Sequence, residues 1–270
     1  MACVLGVIGG GNMGGAIARG ALAARVVTAS DLVVGEPDAE RRAELGGHGI
    51  RTVATAGEVV READQILLAV KPQMFATVAA EIAPIDRPMV VITIMAGLSS
   101  EHIRSLLGPM ARIVRTMPNT PCQLGEGMTG IAIGAGASPG DETLAEEIFQ
   151  SLGRTALLDE ALMHAVTAVS GSGPAYVYLL AELMERAAID LGLDPATAQR
   201  LVVQTIIGAS RMLRETGAEP ATLRRIVTTP GGTTEAAVDV MTARELPAIV
   251  LDALTAARDR GQEIDAALSG

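Results

Sequence analysis

The sequence predicts an α/β fold in two parts: a parallel-sheet domain over residues 1–159, then an all-α domain over residues 160–270. Three observations predict it. Short apolar runs alternate with segments of helical period through the first half. Glycine and proline clusters close several of those runs where a buried strand should end. After about Glu160 the strand signal stops, and apolar residues recur only at helical spacing. At 270 residues and 49% hydrophobic, the chain has the apolar content for a large core or two ordinary ones.

The first element is the run Val4–Ile8, which leads into Gly9-Gly10-Gly11-Asn12-Met13-Gly14. The N-terminus has no basic region ahead of this run, so it reads as a strand and not as a signal peptide. Gly9, Gly11 and Gly14 make G-x-G-x-x-G, and Ala16–Leu22 follows with helical spacing. That pattern between strand and helix is a dinucleotide fingerprint: a tight turn, room for a pyrophosphate, and close helix–strand packing. The second strand, Asp31–Glu36, ends on an acid about twenty residues beyond Gly14, the offset of an acid that bonds a ribose 2′-hydroxyl. Arg41 and Arg42 follow and would suit a 2′-phosphate, so the two signals oppose each other and leave both NADH and NADPH open.

Further strands are expected at Gln65–Val70, Met89–Ile94 and Arg112–Thr116, with helices such as Glu101–Leu107 between them. Their ends carry Val70-Lys71-Pro72, Met95-Ala96-Gly97 and Met117-Pro118-Asn119-Thr120-Pro121. Ligands of open α/β sheets bind at this edge. Ala96 and Gly97 would let a flat ring lie against backbone, and Pro118 and Pro121 fix the turn around Asn119. Lys71 is the one lysine beside twenty arginines. A compact ammonium kept where the chain otherwise uses guanidinium points to a tight site. A last βαβ-like stretch runs through Met128–Ile133, helix Asp141–Leu152 and strand Thr155–Leu158.

In the second half, helices are expected over Tyr176–Leu191, Ala196–Leu213, Ala236–Met241 and Ala248–Ile264. Asp194 before Pro195 is an N-cap with proline at the first helical position. Leu201–Ser210 carries no charge, so its helix wants burial on every side, which predicts a homodimer through the helical domain. Two segments break the helical pattern, Val169–Tyr176 and Val227–Glu235. The second is a Pro-Gly-Gly turn ringed by threonines at a helix start, which suits a carboxylate.

Composition excludes several classes. A net charge of −10, no Trp and 1% aromatics argue against nucleic acid, and the charge argues against anionic membranes. No apolar stretch reaches the roughly 18 residues of a membrane span. Cys3 and Cys122 suit a reducing cytoplasm. His48, His102 and His164 are dispersed and suggest no metal site. A short-chain dehydrogenase would need Tyr-x-x-x-Lys, which neither tyrosine has, and a hydroxyacid dehydrogenase would need a lysine in the second half. A non-catalytic nucleotide sensor would keep Gly9–Gly14 but need neither Lys71 nor Thr234.

The ordered set Gly9–Gly14, Ala69–Pro72, Met117–Pro121, Gly127–Thr129, Ser170–Tyr176 and Thr229–Thr234 resembles pyrroline-5-carboxylate reductases along nearly the whole chain. The resemblance implies a Rossmann-type domain and a helical dimerisation domain, with dimers often joined into rings. It implies reduction of 1-pyrroline-5-carboxylate to L-proline with NADPH or NADH, the final step of proline synthesis. Carried over by position, Gly9, Gly11, Asn12, Met13 and Gly14 would cradle the pyrophosphate. Val70, Lys71, Pro72, Met95, Ala96 and Asn119 would line the nicotinamide end. Thr229, Gly231, Gly232 and Thr233 would hold the substrate carboxylate, and Thr234 would bond the ring nitrogen. Ala56 stands where many members carry an asparagine at the adenosine ribose; with Glu36 it departs from an NADPH pattern.

Overall fold

The computed structural model describes residues 3–269, so Met1, Ala2 and Gly270 lie outside the described residues. Met1 and Ala2 belong to the segment expected to open the first strand. Eight strands form one sheet: β1 (Cys3–Ile8), β2 (Leu32–Gly35), β3 (Arg51–Val53), β4 (Ala63–Leu68), β5 (Met89–Thr93), β6 (Ala111–Met117), β7 (Gly127–Ile133) and β8 (Gly153–Leu157). Between them run α1 (Asn12–Ala23), α2 (Ala39–Gly47), α3 (Ala56–Glu62), α4 (Phe75–Ile82), α5 (Ser100–Leu107) and α6 (Thr143–Gln150).

The strand order is β3-β2-β1-β4-β5-β6-β7-β8. The chain starts in the middle, winds to one side as far as β3, then crosses to β4 and continues the other way. The switch point is therefore the crevice between β1 and β4. Every pairing is parallel except β6 with β7. The all-parallel expectation is corrected there: residues 118–126 are too few for the roughly dozen-residue crossover that a parallel neighbour needs.

Successive strand side chains serve opposite faces, as the pleat requires. Val33, Ile66, Leu68, Met89, Val91 and Ile113 pack with Val59, Phe75, Ile82, Ile103 and Leu107 from α3, α4 and α5. Leu5, Val7, Leu32, Val34, Leu67, Val90, Ile92 and Val114 pack with Ile17, Leu45, Ile148 and Phe149 from α1, α2 and α6. Truncating Phe75 or Phe149, both fully buried, would cost about 3–5 kcal/mol. Local caps define the helix starts. Asp38 accepts from Glu40 N and Arg41 N, Thr55 and Glu58 form a reciprocal capping box, and Ser99 accepts from His102 N.

Beyond β8, a short turn at Glu160–Leu162 leads into α7 (Met163–Val166) and a π-helical turn at Thr167–Gly171. Then come α8 (Gly173–Asp190), α9 (Pro195–Thr216), α10 (Pro220–Val227), α11 (Thr233–Ala243) and α12 (Leu246–Ser269). The π-helical turn and α10 were not anticipated from sequence, nor was the three-residue β3. Two compact units emerge: one holds the chain up to Ser172 and from Ala256 onward, the other holds Gly173–Thr255. Within the second unit, α8 and α9 pack against each other, and only Ala198 and Val202 are buried.

Candidate active site

The carboxyl edge of the sheet gathers most residues expected at a dinucleotide. Gly35, Ile8, Leu68, Thr93 and Arg115 stand in register across β2, β1, β4, β5 and β6, so the loops leaving these strands open side by side. Gly9 leaves β1 with φ +103°, and its N–H donates to the Gly35 carbonyl at 2.8 Å. A Cβ at Gly9 would lie 2.7 Å from the Ala69 carbonyl oxygen. Glycine is needed there both for the backbone angle and for the approach of the β1 and β4 loops. Gly11 is the N-cap of α1 and supplies no side-chain cap. The first-turn N–H groups from Asn12, Met13 and Gly14 are thus left to an incoming anionic acceptor.

Glu36 is 5% exposed, and its carboxylate accepts from Gly10 N at 2.9 Å and Asp38 N at 3.1 Å. It ties the glycine loop to the start of α2. Arg42 donates to the carbonyls of Glu36 and Pro37, both at 2.7 Å. Arg41 points the other way: its Nη1 lies 3.6 Å from where a Gly11 Cβ would sit. Ala56 is buried as the first residue of α3.

Val70, Lys71 and Pro72 follow β4, whose last residue is Leu68 and not Val70 as the apolar run suggested. Lys71 precedes a 3-10 turn, is exposed, and makes no ion pair among the described residues. Met95 is 3% exposed and its N–H donates to Thr93 Oγ1 at 3.1 Å, with half-buried Ala96 next to it. Asn119 is held from three sides: Oδ1 accepts from Met128 N at 3.0 Å, and Nδ2 donates to the Ser170 carbonyl at 3.2 Å and Oγ at 3.4 Å. The strand-end turn and Ser170, singled out separately in the sequence, therefore meet through one amide. Met13 Sδ lies 3.4 Å from the buried Cys122 thiol, whose pKa burial pushes up. The side chain of Cys3 lies outside the described residues.

In the second unit, Thr229, Gly231, Gly232, Thr233 and Thr234 surround the start of α11. Gly231 has φ +73° and Gly232 N donates to the Thr229 carbonyl at 2.9 Å. The N-cap is Gly232, without a side-chain cap, so Thr233 does not cap the helix. Gly231 N donates to the carboxylate of Glu235 at 2.6 Å. A carboxylate already sits on one of the amides expected to hold a carboxylate.

Residues 4–97 match the family model described as NADP oxidoreductase coenzyme F420-dependent, and residues 160–264 match that for pyrroline-5-carboxylate reductase dimerisation. The chain is 41% identical to the pyrroline-5-carboxylate reductase of Pseudomonas aeruginosa over 95% of both chains, and 38% identical to that of Haemophilus influenzae over 97% of both. The chain belongs to the pyrroline-5-carboxylate reductase family. Among solved structures it resembles the reductase of Coxiella burnetii, with a TM-score of 0.90 at 34% identity over 98% of this chain and 99% of that one. The Plasmodium falciparum enzyme, solved with NADP bound, matches with a TM-score of 0.86 at 29% identity over 97% and 98%.

Sequence reasoning gave no role to Glu235 or to a part-buried polar network at the start of α5. There Glu160 accepts from Ser100 N at 2.8 Å, from Ser100 Oγ at 2.5 Å and from Arg115 Nη1 at 3.1 Å. Arg115, 5% exposed in an apolar strand, was the one sign of that network in the sequence. Among the described residues of this reductase-family chain, no helix is long and apolar enough to cross a membrane.

Proposed function

We propose that the chain reduces the carbon–nitrogen double bond of 1-pyrroline-5-carboxylate to L-proline, the last step of proline synthesis, with NADPH or NADH as cofactor. The observation that carries the reading is the glycine loop at the β1/β4 switch point, in a chain of this family. When bound, the nicotinamide would supply a hydride to the imine carbon. The residues supply the rest. Gly9 to Gly14 receive the pyrophosphate on uncapped N–H groups, with Asn12 and Met13 in the first turn. Glu36 braces that loop. Val70, Lys71 and Pro72, with Met95, Ala96 and Asn119, bound the nicotinamide end.

Thr229, Gly231, Gly232 and Thr233 hold the substrate carboxylate at the positive start of α11. Thr234 is the catalytic residue: its hydroxyl hydrogen-bonds the ring nitrogen. On gaining a hydride at carbon, the imine would shift its C=N π pair to nitrogen, and the nitrogen would take a proton from the Thr234 hydroxyl, which solvent water reprotonates, to end as the secondary amine. Residues 1–159 are then the dinucleotide-binding part and residues 160–270 the substrate-binding and dimerising part. The exposed apolar side chains Val177, Leu180, Leu183, Val203 and Ile207 on α8 and α9 support a homodimer through the helical half, and dimers could close into a ring. The small number of cysteines, Cys3 and Cys122, fits a reducing cytoplasm.

The test is loss of absorbance at 340 nm with pyrroline-5-carboxylate, run in parallel with NADH and NADPH. Thr234→Ala should lower kcat by about tenfold or more while dinucleotide affinity holds. A folded protein that binds dinucleotide but oxidises neither cofactor overturns the reading. Full turnover in Thr234→Ala removes that hydroxyl from the chemistry.

A further inference from the structure

The last three turns of α12 lie against the loop between β5 and α5. Gly261, Ile264, Asp265 and Leu268 follow the i, i+3, i+4, i+7 spacing of one helix face. Asp265 Oδ1 accepts from Ser99 N at 2.8 Å. Ile264 backs onto Gly97 so closely that a Cβ there would come within 2.6 Å of its Cγ2. Leu268 packs against the core on the side of α3, α4 and α5. Gly261 leaves room for His164, whose Nδ1 would be 3.0 Å from a Cβ at that position, and His164 Nε2 lies 3.7 Å from Asp265 Oδ2. On the other side of the same loop, Glu160 grips Ser100 N and Oγ while paired to Arg115. Two consecutive backbone N–H groups, of Ser99 and Ser100, are thus each held by a different carboxylate.

This loop begins at Ile94 and carries Met95 and Ala96 immediately before Gly97. We propose that the tail of α12 is a latch that sets the position of the β5–α5 loop, with Asp265 as its positioning residue for hydride transfer. The proposal rests on the reductase reading for what the loop positions. The carboxylate–amide bond is charge-assisted and the Asp265 side chain is 20% exposed, so water replaces it poorly. Without it, Ser99 N must find another acceptor and the segment Met95–Leu98 relaxes. A nicotinamide ring resting on Met95 and Ala96 would then shift relative to the imine. Hydride transfer depends steeply on such placement, whereas the pyrophosphate and adenosine end, held at Gly9–Gly14, does not involve this loop. The latch therefore separates two quantities that a general loss of stability would move together.

The test compares Asp265→Ala and Asp265→Asn in the full chain. Asparagine keeps an acceptor for Ser99 N and alanine does not. The measurements are kcat, the Kd of NADP⁺, the nicotinamide emission of bound NADPH, and the melting temperature. Asp265→Ala should lower kcat by about tenfold and dim the bound nicotinamide, with Kd for NADP⁺ within about twofold. Asp265→Asn should recover most of both. Wild-type kcat and emission in Asp265→Ala, or an asparagine variant as impaired as alanine, overturns the latch. If Asp265→Ala does not fold, Ile264→Ala loosens the same contact at Gly97 and should give the same fall; an unchanged kcat there is equally fatal. If the wild-type chain binds NADPH but reduces no imine, the reductase reading fails, and the emission comparison still decides the latch.

Discussion

Gly14→Ala tests the geometry of the dinucleotide loop through a single methyl group. A Cβ at Gly14 would run into the Gly9 carbonyl oxygen and stand 2.9 Å from Ala69 Cβ. Both obstacles are fixed: one is backbone, and the other is a methyl group with no rotamer to change. Relief requires α1 to move away from the β1 and β4 loops. Overpacking of that kind costs about 1–3 kcal/mol, which lowers Tm by roughly 2–12 °C for a unit of this size. The same shift pulls the first-turn N–H groups of α1 off the pyrophosphate position, so Kd for NADPH should rise at least about tenfold. The control is Gly46→Ala at an exposed helical position of α2, where an added Cβ meets nothing within 4 Å. That change should leave Kd alone and hold or raise stability by up to about 1 kcal/mol. Differential scanning fluorimetry and NADPH fluorescence titration read both variants. If Gly14→Ala melts within 1 °C or so of wild type and binds NADPH equally well, the close approach of α1 to the Gly9 loop is not the reason for glycine there.

Lys71→Arg keeps the charge but replaces a compact ammonium with a broad fork, so it should raise KM for the cofactor several-fold; unchanged kinetics would return Lys71 to an accident of composition. Glu235→Ala frees the Gly231 N–H from an internal carboxylate, so KM for pyrroline-5-carboxylate should fall, and a rise would mean that Glu235 holds the loop in its binding shape. Burial first, then the Arg115 guanidinium, hold His164 below its ordinary pKa of 6.5, outweighing Asp265 and Glu160. The folded protein therefore binds fewer protons at His164 than the unfolded chain. Its contribution is fully present above pH 6.5 and is lost as pH falls through the folded pKa. Tm should drop on acidification from pH 7 to about pH 5.5, and His164→Gln should flatten that limb; an identical slope would assign it to other groups.

The first unit was legible because its signals are local. A strand–glycine–helix run constrains its own geometry, and Gly9–Gly14 fold as that pattern requires. The direction of β7 was also in the sequence, in the shortness of residues 118–126, but the apolar run Met128–Ile133 alone has no direction. β3 escaped because three half-exposed residues carry no period. Glu36, read as the last residue of the second strand, sits one residue beyond β2, and its offset from Gly14 suggested a ribose contact. Offset gives position along the chain, and the choice between a ribose and the Gly10 and Asp38 amides is made by a rotamer.

The face of α12 that docks beside β5 shows where such reading stops. Gly261, Ile264, Asp265 and Leu268 read as an ordinary amphipathic stripe with one acid in it, and an acid on such a stripe is usually solvated. What makes Asp265 different is Ser99, an ordinary N-cap residue 166 positions earlier, whose own N–H lies outside the helix it caps and needs an acceptor. An N-cap motif announces the side-chain bond it makes. It does not announce where the cap residue's own N–H will go. Residues that cap a helix next to a strand end are therefore the ones whose backbone donors should be traced first, because any acceptor they recruit from elsewhere in the chain is coupled to the site at that edge.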